Sequence, residues 1–217
     1  MDHFHVEFEE GAAMPATKDR IAIVPANEAS WEDLEQVLGP VKCHSDRCYC
    51  QRHKILSAEW RRIDDDERAF LLRAQTNCGS PEADTTSGLV AYLGDEPVGW
   101  AAVEPRAHFS NLLRSRILWA ERNEDKQDEG VWAVTCFIVR RGYRRRGIMY
   151  ALARAAVGFA RQRGARALEG YPMATEPGKE ITWGELHVGS RNAFAAAGFR
   201  EVTHPTLRRY VMRVDFE

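Results

Sequence analysis

The sequence predicts a single α/β domain, and three observations carry that prediction. Strand-like and helix-like runs alternate from Arg20 onward, one nine-residue apolar run reads as a strand buried on both faces, and a long amphipathic helix follows it directly. At 217 residues the chain suits one large domain or two small ones, and it can bury a core without staples. Residues 1–18 are polar with scattered Gly, Ala and Pro and read as a flexible tail, leaving 19–217 as the domain.

Composition narrows the function. Thirty Lys plus Arg against 32 Asp plus Glu give a formal charge of −2, whereas a general nucleic-acid binder needs a basic surplus, so nucleic acid is not an expected partner. The longest apolar runs are about nine residues, far short of the ~20 that span a bilayer. The acidic start, Met1 to Glu10, lacks the basic beginning and apolar core of a secretory signal. These features predict a cytoplasmic protein without membrane association. Five cysteines (43, 48, 50, 78, 136) are odd in number and lack framework spacing, which suits thiols or a metal site rather than disulfides.

Taken in order, Arg20 to Pro25 forms a short strand, and Ser30 caps an amphipathic helix through Leu34, Val37 and Leu38 that stops at Gly39-Pro40. A Cys-rich loop spans Val41 to His53. A helical stretch from Leu56 to Gln75 follows, with Asp64-Asp65-Asp66 placed to recap its second half. Leu89–Leu93 and Pro97–Val103, separated by Gly94-Asp95-Glu96, read as an antiparallel hairpin, and Gly99 marks a close backbone approach. Five acids between Glu121 and Glu129 suggest an exposed loop. Val131 to Val139, continuously β-branched, apolar or aromatic, should be the central strand.

After that strand come Arg140, Arg141, Arg144, Arg145 and Arg146, then Gly147 and a helix whose apolar stripe is Ile148, Leu152, Ala155 and Phe159, with Gly164 as its stop. The first amides of a helix lack intrahelical acceptors, and the helix dipole adds positive potential there. With Gly147 admitting a ligand close to the backbone, the segment suits an anion, and a pyrophosphate is the obvious candidate.

This segment resembles the acetyl-CoA-binding motif of the GCN5-related N-acetyltransferase (GNAT) superfamily, Gln/Arg-x-x-Gly-x-Gly/Ala. Arg144 and Gly147 match it, while Met149 stands where Gly or Ala is usual. The resemblance extends over about residues 20–217, through the hairpin with Val98-Gly99, a strand at Arg166–Tyr171, and the late Asn192–Phe199 (NAFAAAGF). It implies a central, mixed, mostly antiparallel twisted sheet flanked by helices, with splayed central strands. It further implies that the backbone around Phe137, Ile138 and Val139 pairs with the pantetheine arm. Arg144, Arg145, Arg146, Gly147, Ile148 and Met149 would cradle the pyrophosphate. Acetyl-CoA would be the co-substrate, an amine the acceptor, and a homodimer through exposed strand edges is compatible with this architecture.

Acetyl transfer to an amine needs a neutral nucleophile, a sink for its proton and often a donor to the departing thiolate. The Tyr that often supplies that donor in the family falls on Phe194, which has no hydroxyl. The Asn that often begins the late helix falls on His187, either a proton relay or a polar helix start. Glu169 and Tyr171 share a face of their strand by alternation and either line the substrate site or simply face solvent. Cys43, His44, Cys48, Cys50 and His53 suggest zinc, but their spacing matches no usual pair, so packing or substrate contact is the alternative and no metal is expected. Tyr49, Trp60, Trp100, Trp119 and Trp183 either contact an amine through cation–π attraction or belong to the core. The leading reading is an N-acetyltransferase acting by direct attack. A non-catalytic acyl-CoA sensor and a zinc-dependent interaction protein are the alternatives.

Overall fold

A computed structural model describes residues 20–43, 46–175 and 186–217. The predicted 1–18 tail, His44 and Trp183 lie outside the described residues. A seven-stranded sheet organises the chain, in the order β1 (Ile21–Pro25), β4 (Leu89–Leu93), β5 (Glu96–Pro105), β6 (Val131–Val139), β7 (Ala167–Gly170), β9 (Arg209–Asp215), β8 (Arg200–Thr206). Every neighbouring pair is antiparallel except β6 and β7, which are parallel. The sheet is therefore mixed and mostly antiparallel, and β6 lies at its centre with eight of its nine residues buried. A separate two-stranded ribbon pairs β2 (Lys42–Cys43) with β3 (Asp46–Arg47) inside the Cys-rich stretch.

Local chemistry fixes the helix ends. Ser30 Oγ accepts the Asp33 amide at 3.1 Å and opens α1 (Trp31–Leu38). The 56–75 stretch divides into α2 (Ser57–Trp60) and α3 (Asp65–Thr76), and Asp64 caps the second through Glu67 N at 2.8 Å. A four-residue α4 (Ser110–Leu113) follows β5. The amphipathic α5 (Ile148–Gln162) crosses one face of the sheet and buries Ile148, Leu152, Ala153, Ala156, Phe159 and Ala160. Its stripe thus runs through Ala156 rather than the expected Ala155, which is only partly buried. Its stop is Gly164, at φ 78°. Last comes α6 (Arg191–Ala196), capped by Ser190 Oγ on the Ala193 amide.

Two cores result. Val98, Ala101, Val134, Phe137, Val139, Phe194 and Phe199 pack with α5 on one face, while α1, Leu72 of α3, Tyr49, Cys50, Trp100, Cys136 and Ile138 fill the other. Gly99 is the close approach the sequence indicated. A Cβ there would stand 2.9 Å from Ile148 Cγ2 and 3.2 Å from Leu152 Cδ1, so the glycine lets α5 lie directly on β5.

The acid-rich 121–129 segment is not simply an exposed loop. Arg122 turns inward with 1% of its side chain exposed, bonds Glu169 Oε1 at 2.6 Å and pairs with Glu124. That pins the segment to β7.

Candidate cofactor and acceptor site

The site begins with a mismatch of strand lengths. Val131–Val134 of β6 pair with Ala167–Gly170 of β7, and there β7 ends, while β6 continues to Val139. Pro172, two residues past Gly170, has no N–H to extend a ladder. A register shift lies between Ala102 and Val103 of β5, opposite Cys136 and Val134, so the central strand bends where its partner stops. The Arg140 amide bonds to Val98 O on β5. By antiparallel alternation, the backbone groups of Val139 and Phe137 face the opposite, splayed edge.

Phe194 closes the bottom of that opening. Its ring is fully buried, edge-on to Phe137 (centroids 5.6 Å apart) and Phe199 (4.8 Å). It lies so close over Gly170 that a Cβ at 170 would collide with it. The position expected to supply a hydroxyl therefore holds an apolar floor.

Two of the backbone groups expected to meet pantetheine already have protein partners: the Phe137 amide donates to His187 O at 2.5 Å, and Val139 O accepts from Arg144 Nε at 3.3 Å. His187 does not begin the late helix, which Ser190 caps; it sits on the preceding turn, its carbonyl against the central strand.

The basic turn after β6 is open. Arg145 (φ 62°) and Gly147 (φ 78°) both adopt the left-handed conformation, and nothing lies within 4 Å of a Cβ built on Gly147. The first intrahelical bond of α5 joins Ala151 N to Gly147 O, so the amides of Ile148, Met149 and Tyr150 precede the helical ladder. Met149 is half-buried and packs against the main core. Of the five arginines, Arg140 is committed elsewhere, to Glu96 Oε2 (3.2 Å) and Pro97 O (2.7 Å), whereas Arg141, Arg144, Arg145 and Arg146 are exposed.

The other face of β6 carries the second half of the site. A narrow cavity of about 20 Å³ lies between Cys136 and Ile138 of β6, Tyr49, Cys50 and His53 of the Cys-rich segment, and His187. Tyr49 (φ 41°) and Cys50 (φ 57°) are successive left-handed residues, a strained turn that aims the segment at the sheet. Trp100 Nε1 donates to Cys50 Sγ at 2.9 Å, and Tyr49 Oη donates to Glu35 Oε1 at 2.9 Å. Lys54 anchors the segment, donating to Gln75 Oε1 (2.7 Å) and Ser87 Oγ (3.1 Å) and pairing with the buried Glu104. Among the described residues no three His, Cys, Asp or Glu side chains are grouped to hold a metal.

Glu169 and Tyr171 do share a face, since Tyr171 Oη donates to Glu169 Oε2 at 2.9 Å. That face opens neither on the cavity nor on solvent. Glu169 is fully buried, its Oε1 accepting from Arg106 (3.1 Å) and Arg122 (2.6 Å). Tyr171 is buried with Phe109, Leu112 and Trp119, and burial first, then the Glu169 charge, raises its hydroxyl pKa well above 10.0. Both residues thus sit in structural contacts. Trp100 and Trp119 are core residues, and Trp119 already has the Arg122 guanidinium 4.4 Å from its ring centroid. Trp60, half-buried, stacks against the buried Arg68 guanidinium at 4.5 Å.

His53, which the sequence offered only as a metal ligand, is the group that reasoning missed. Its Nε2 is buried with no hydrogen-bond partner among the described residues, and its ring stacks on His187 with centroids 5.9 Å apart. Only its place inside the Cys-rich loop hinted at a role.

Sequence comparison places the region of this strand, turn and helix in a known family. The model of the acetyltransferase (GNAT) family matches residues 50–173, more than half of the chain. The chain belongs to the GNAT acetyltransferase family. Solved structures agree on the fold. That of yncA from Salmonella typhimurium, with its cofactor acetyl-CoA, is 14% identical and superposes with a TM-score of 0.50 over 91% of this chain and 94% of that one. An N-acetyltransferase from Staphylococcus aureus Mu50 is 12% identical, with a TM-score of 0.52 over 91% and 99%. No curated protein matches the sequence at a significant level. In this GNAT chain the matched region, residues 50–173, contains Cys50 and His53 of the cavity lining, β6, the basic turn and α5.

Proposed function

We propose that the protein is an acetyl-CoA-dependent N-acetyltransferase in which an acceptor amine attacks the thioester directly. The observation that carries this reading is the open Gly147 turn at the head of the 15-residue α5, beside a central strand whose pairing with β7 stops at Gly170. The residues fit the cofactor. The amides of Ile148, Met149 and Tyr150 and the side chains of Arg141, Arg145 and Arg146 would hold the pyrophosphate. The Val139 N–H and Phe137 carbonyl lie on the edge where a pantetheine arm would run, and the His187 carbonyl would have to release the Phe137 amide to complete that pairing. Acetyl-CoA supplies the activated acetyl group. The chain's own task is then to receive an unprotonated nitrogen, lead its proton away and keep the reacting atoms out of bulk water.

Calorimetry with acetyl-CoA tests the cradle. Wild type should bind, and Gly147→Glu should weaken binding at least tenfold, because a carboxylate would enter the phosphate seat at a left-handed position that disfavours any side chain. No binding at millimolar acetyl-CoA would refute the reading.

A second reading, a non-catalytic acyl-CoA sensor, is favoured by Phe194, which fills the hydroxyl position with a buried ring. Release of free thiol from acetyl-CoA in the presence of any amine rejects the sensor; tight binding with no turnover across an amine panel supports it.

A further inference from the structure

The cavity beside β6 has the character of a site for one particular kind of nitrogen. Its walls are the aliphatic Leu38, Val41 and Ile138, three cysteines, Tyr49, two imidazoles and the cationic Arg52, and none of the described residues lining it is a carboxylate. The carboxylates around it are engaged elsewhere: Glu35 accepts from Tyr49 Oη, Glu104 pairs with Lys54, and Glu169 pairs with Arg106 and Arg122. At about 20 Å³ the space accepts one small polar head and no hydration shell. Into it projects His53, with Nε2 buried and lacking a partner among the described residues.

We propose that this cavity receives the acceptor's amino group and selects amines that are uncharged at neutral pH, the arylamine class, with His53 Nε2 accepting one of their N–H hydrogens. This rests on the acetyltransferase reading above. The imidazole carries its proton on Nδ1, and its Nε2 lone pair fixes the nitrogen's orientation. In the reaction the N–C bond forms as the C–S bond breaks, and the proton lost from nitrogen is, in net, the one gained by the departing sulfur, giving an amide and free coenzyme A.

The charge environment supports the same selection. Burial first, then His187, Arg52 and Arg209, pushes the His53 pKa down to about 3. A site that disfavours an imidazolium by desolvation and neighbouring cations disfavours an ammonium for the same two reasons. An alkylamine, protonated at pH 7, would have to discard its proton and its water before entering. An arylamine enters as it stands.

The test uses the full chain saturated with coenzyme A, which cannot react, and two probes with the same ring, aniline and benzylamine. Binding is followed by calorimetry and by the His53 imidazole NMR signal. Aniline is expected to bind at least tenfold tighter than benzylamine at pH 7 and to shift the His53 signal. His53→Ala should lower aniline affinity at least fivefold without changing affinity for coenzyme A, and His53→Gln, whose carbonyl can also accept, should restore part of it. Equal or tighter binding of benzylamine, an aniline affinity indifferent to both substitutions, or binding of neither probe overturns the inference. Coenzyme A affinity, read in the same titrations, separates these outcomes from a failure of the acetyltransferase reading itself.

Discussion

At the scale of the residue, His53 makes a prediction about stability as well as binding. The unfolded chain protonates this imidazole near the usual 6.5, whereas the folded chain resists until about 3. Between those values the unfolded state holds a proton that the folded state does not. The stability tied to a neutral His53 is therefore complete above pH 6.5 and lost as pH falls toward 3, with a slope approaching ~1.4 kcal/mol per pH unit. Glu104 and Glu124 also lose stability on acidification, because burial, which alone would raise their pKa values, is outweighed by hydrogen bonds and charge from their basic partners. Their loss begins only below about pH 4.5, so the window from pH 6.5 to 5 isolates the histidine. Urea unfolding across that window should show a steeper decline for wild type than for His53→Gln, and parallel curves would exclude a buried neutral imidazole.

At the scale of the element, α5 and the strands beneath it were written in the local residue pattern, whereas the splay of the central strands was expected only through the family resemblance. Period-2 and period-3.6 patterns are local, so β6, the hairpin and α5 could be read directly, as could the caps at Ser30 and Asp64. Gly99 announced a close contact but not its partner; the structure supplies Ile148 and Leu152. Gly99→Ala should cost about 1–3 kcal/mol of stability, the usual range for overpacking. It should also weaken acetyl-CoA binding, because the clash falls on the first residue of α5 and pushes away the helix end that carries the cradle. Thermal melts and calorimetry on one preparation check both effects, and a melting temperature unchanged from wild type would show that the helix does not lie against β5 as described. The splay depends on where β7 ends and on the space Phe194 fills above Gly170, two facts joined only through tertiary contact. In the same way the helix-start alternative for His187 fails, because counting back from Gly198 ignores that Ser190 is the better cap.

At the scale of the whole molecule, charge is distributed in two opposite ways. The basic turn at 141–146 keeps its arginines exposed, while Arg106, Arg122 and Arg213 are drawn in around Glu169 and Glu124, tying the 121–129 segment, β7 and β9 into one unit. A mid-strand glutamate gave no sign of this in the sequence, since its partners lie 63 and 47 residues away. Substitution separates the structural role from a catalytic one. Glu169→Gln keeps the shape and removes the charge, leaving Arg106 and Arg122, each with 1% of its side chain exposed, to share only the partly exposed Glu124. Breaking a fully buried pair from one side costs about 3–5 kcal/mol, and here Glu124 offsets part of that because it still meets both guanidiniums. The variant should therefore melt well below wild type. At a temperature where it remains folded, it should bind acetyl-CoA with unchanged affinity, since Glu169 sits within the β6–β7 pairing opposite Ala133 while the Gly147 turn follows the far end of β6 at Val139. If instead Glu169→Gln melts like wild type but loses turnover, the carboxylate belongs to the chemistry and the buried network around it is incidental.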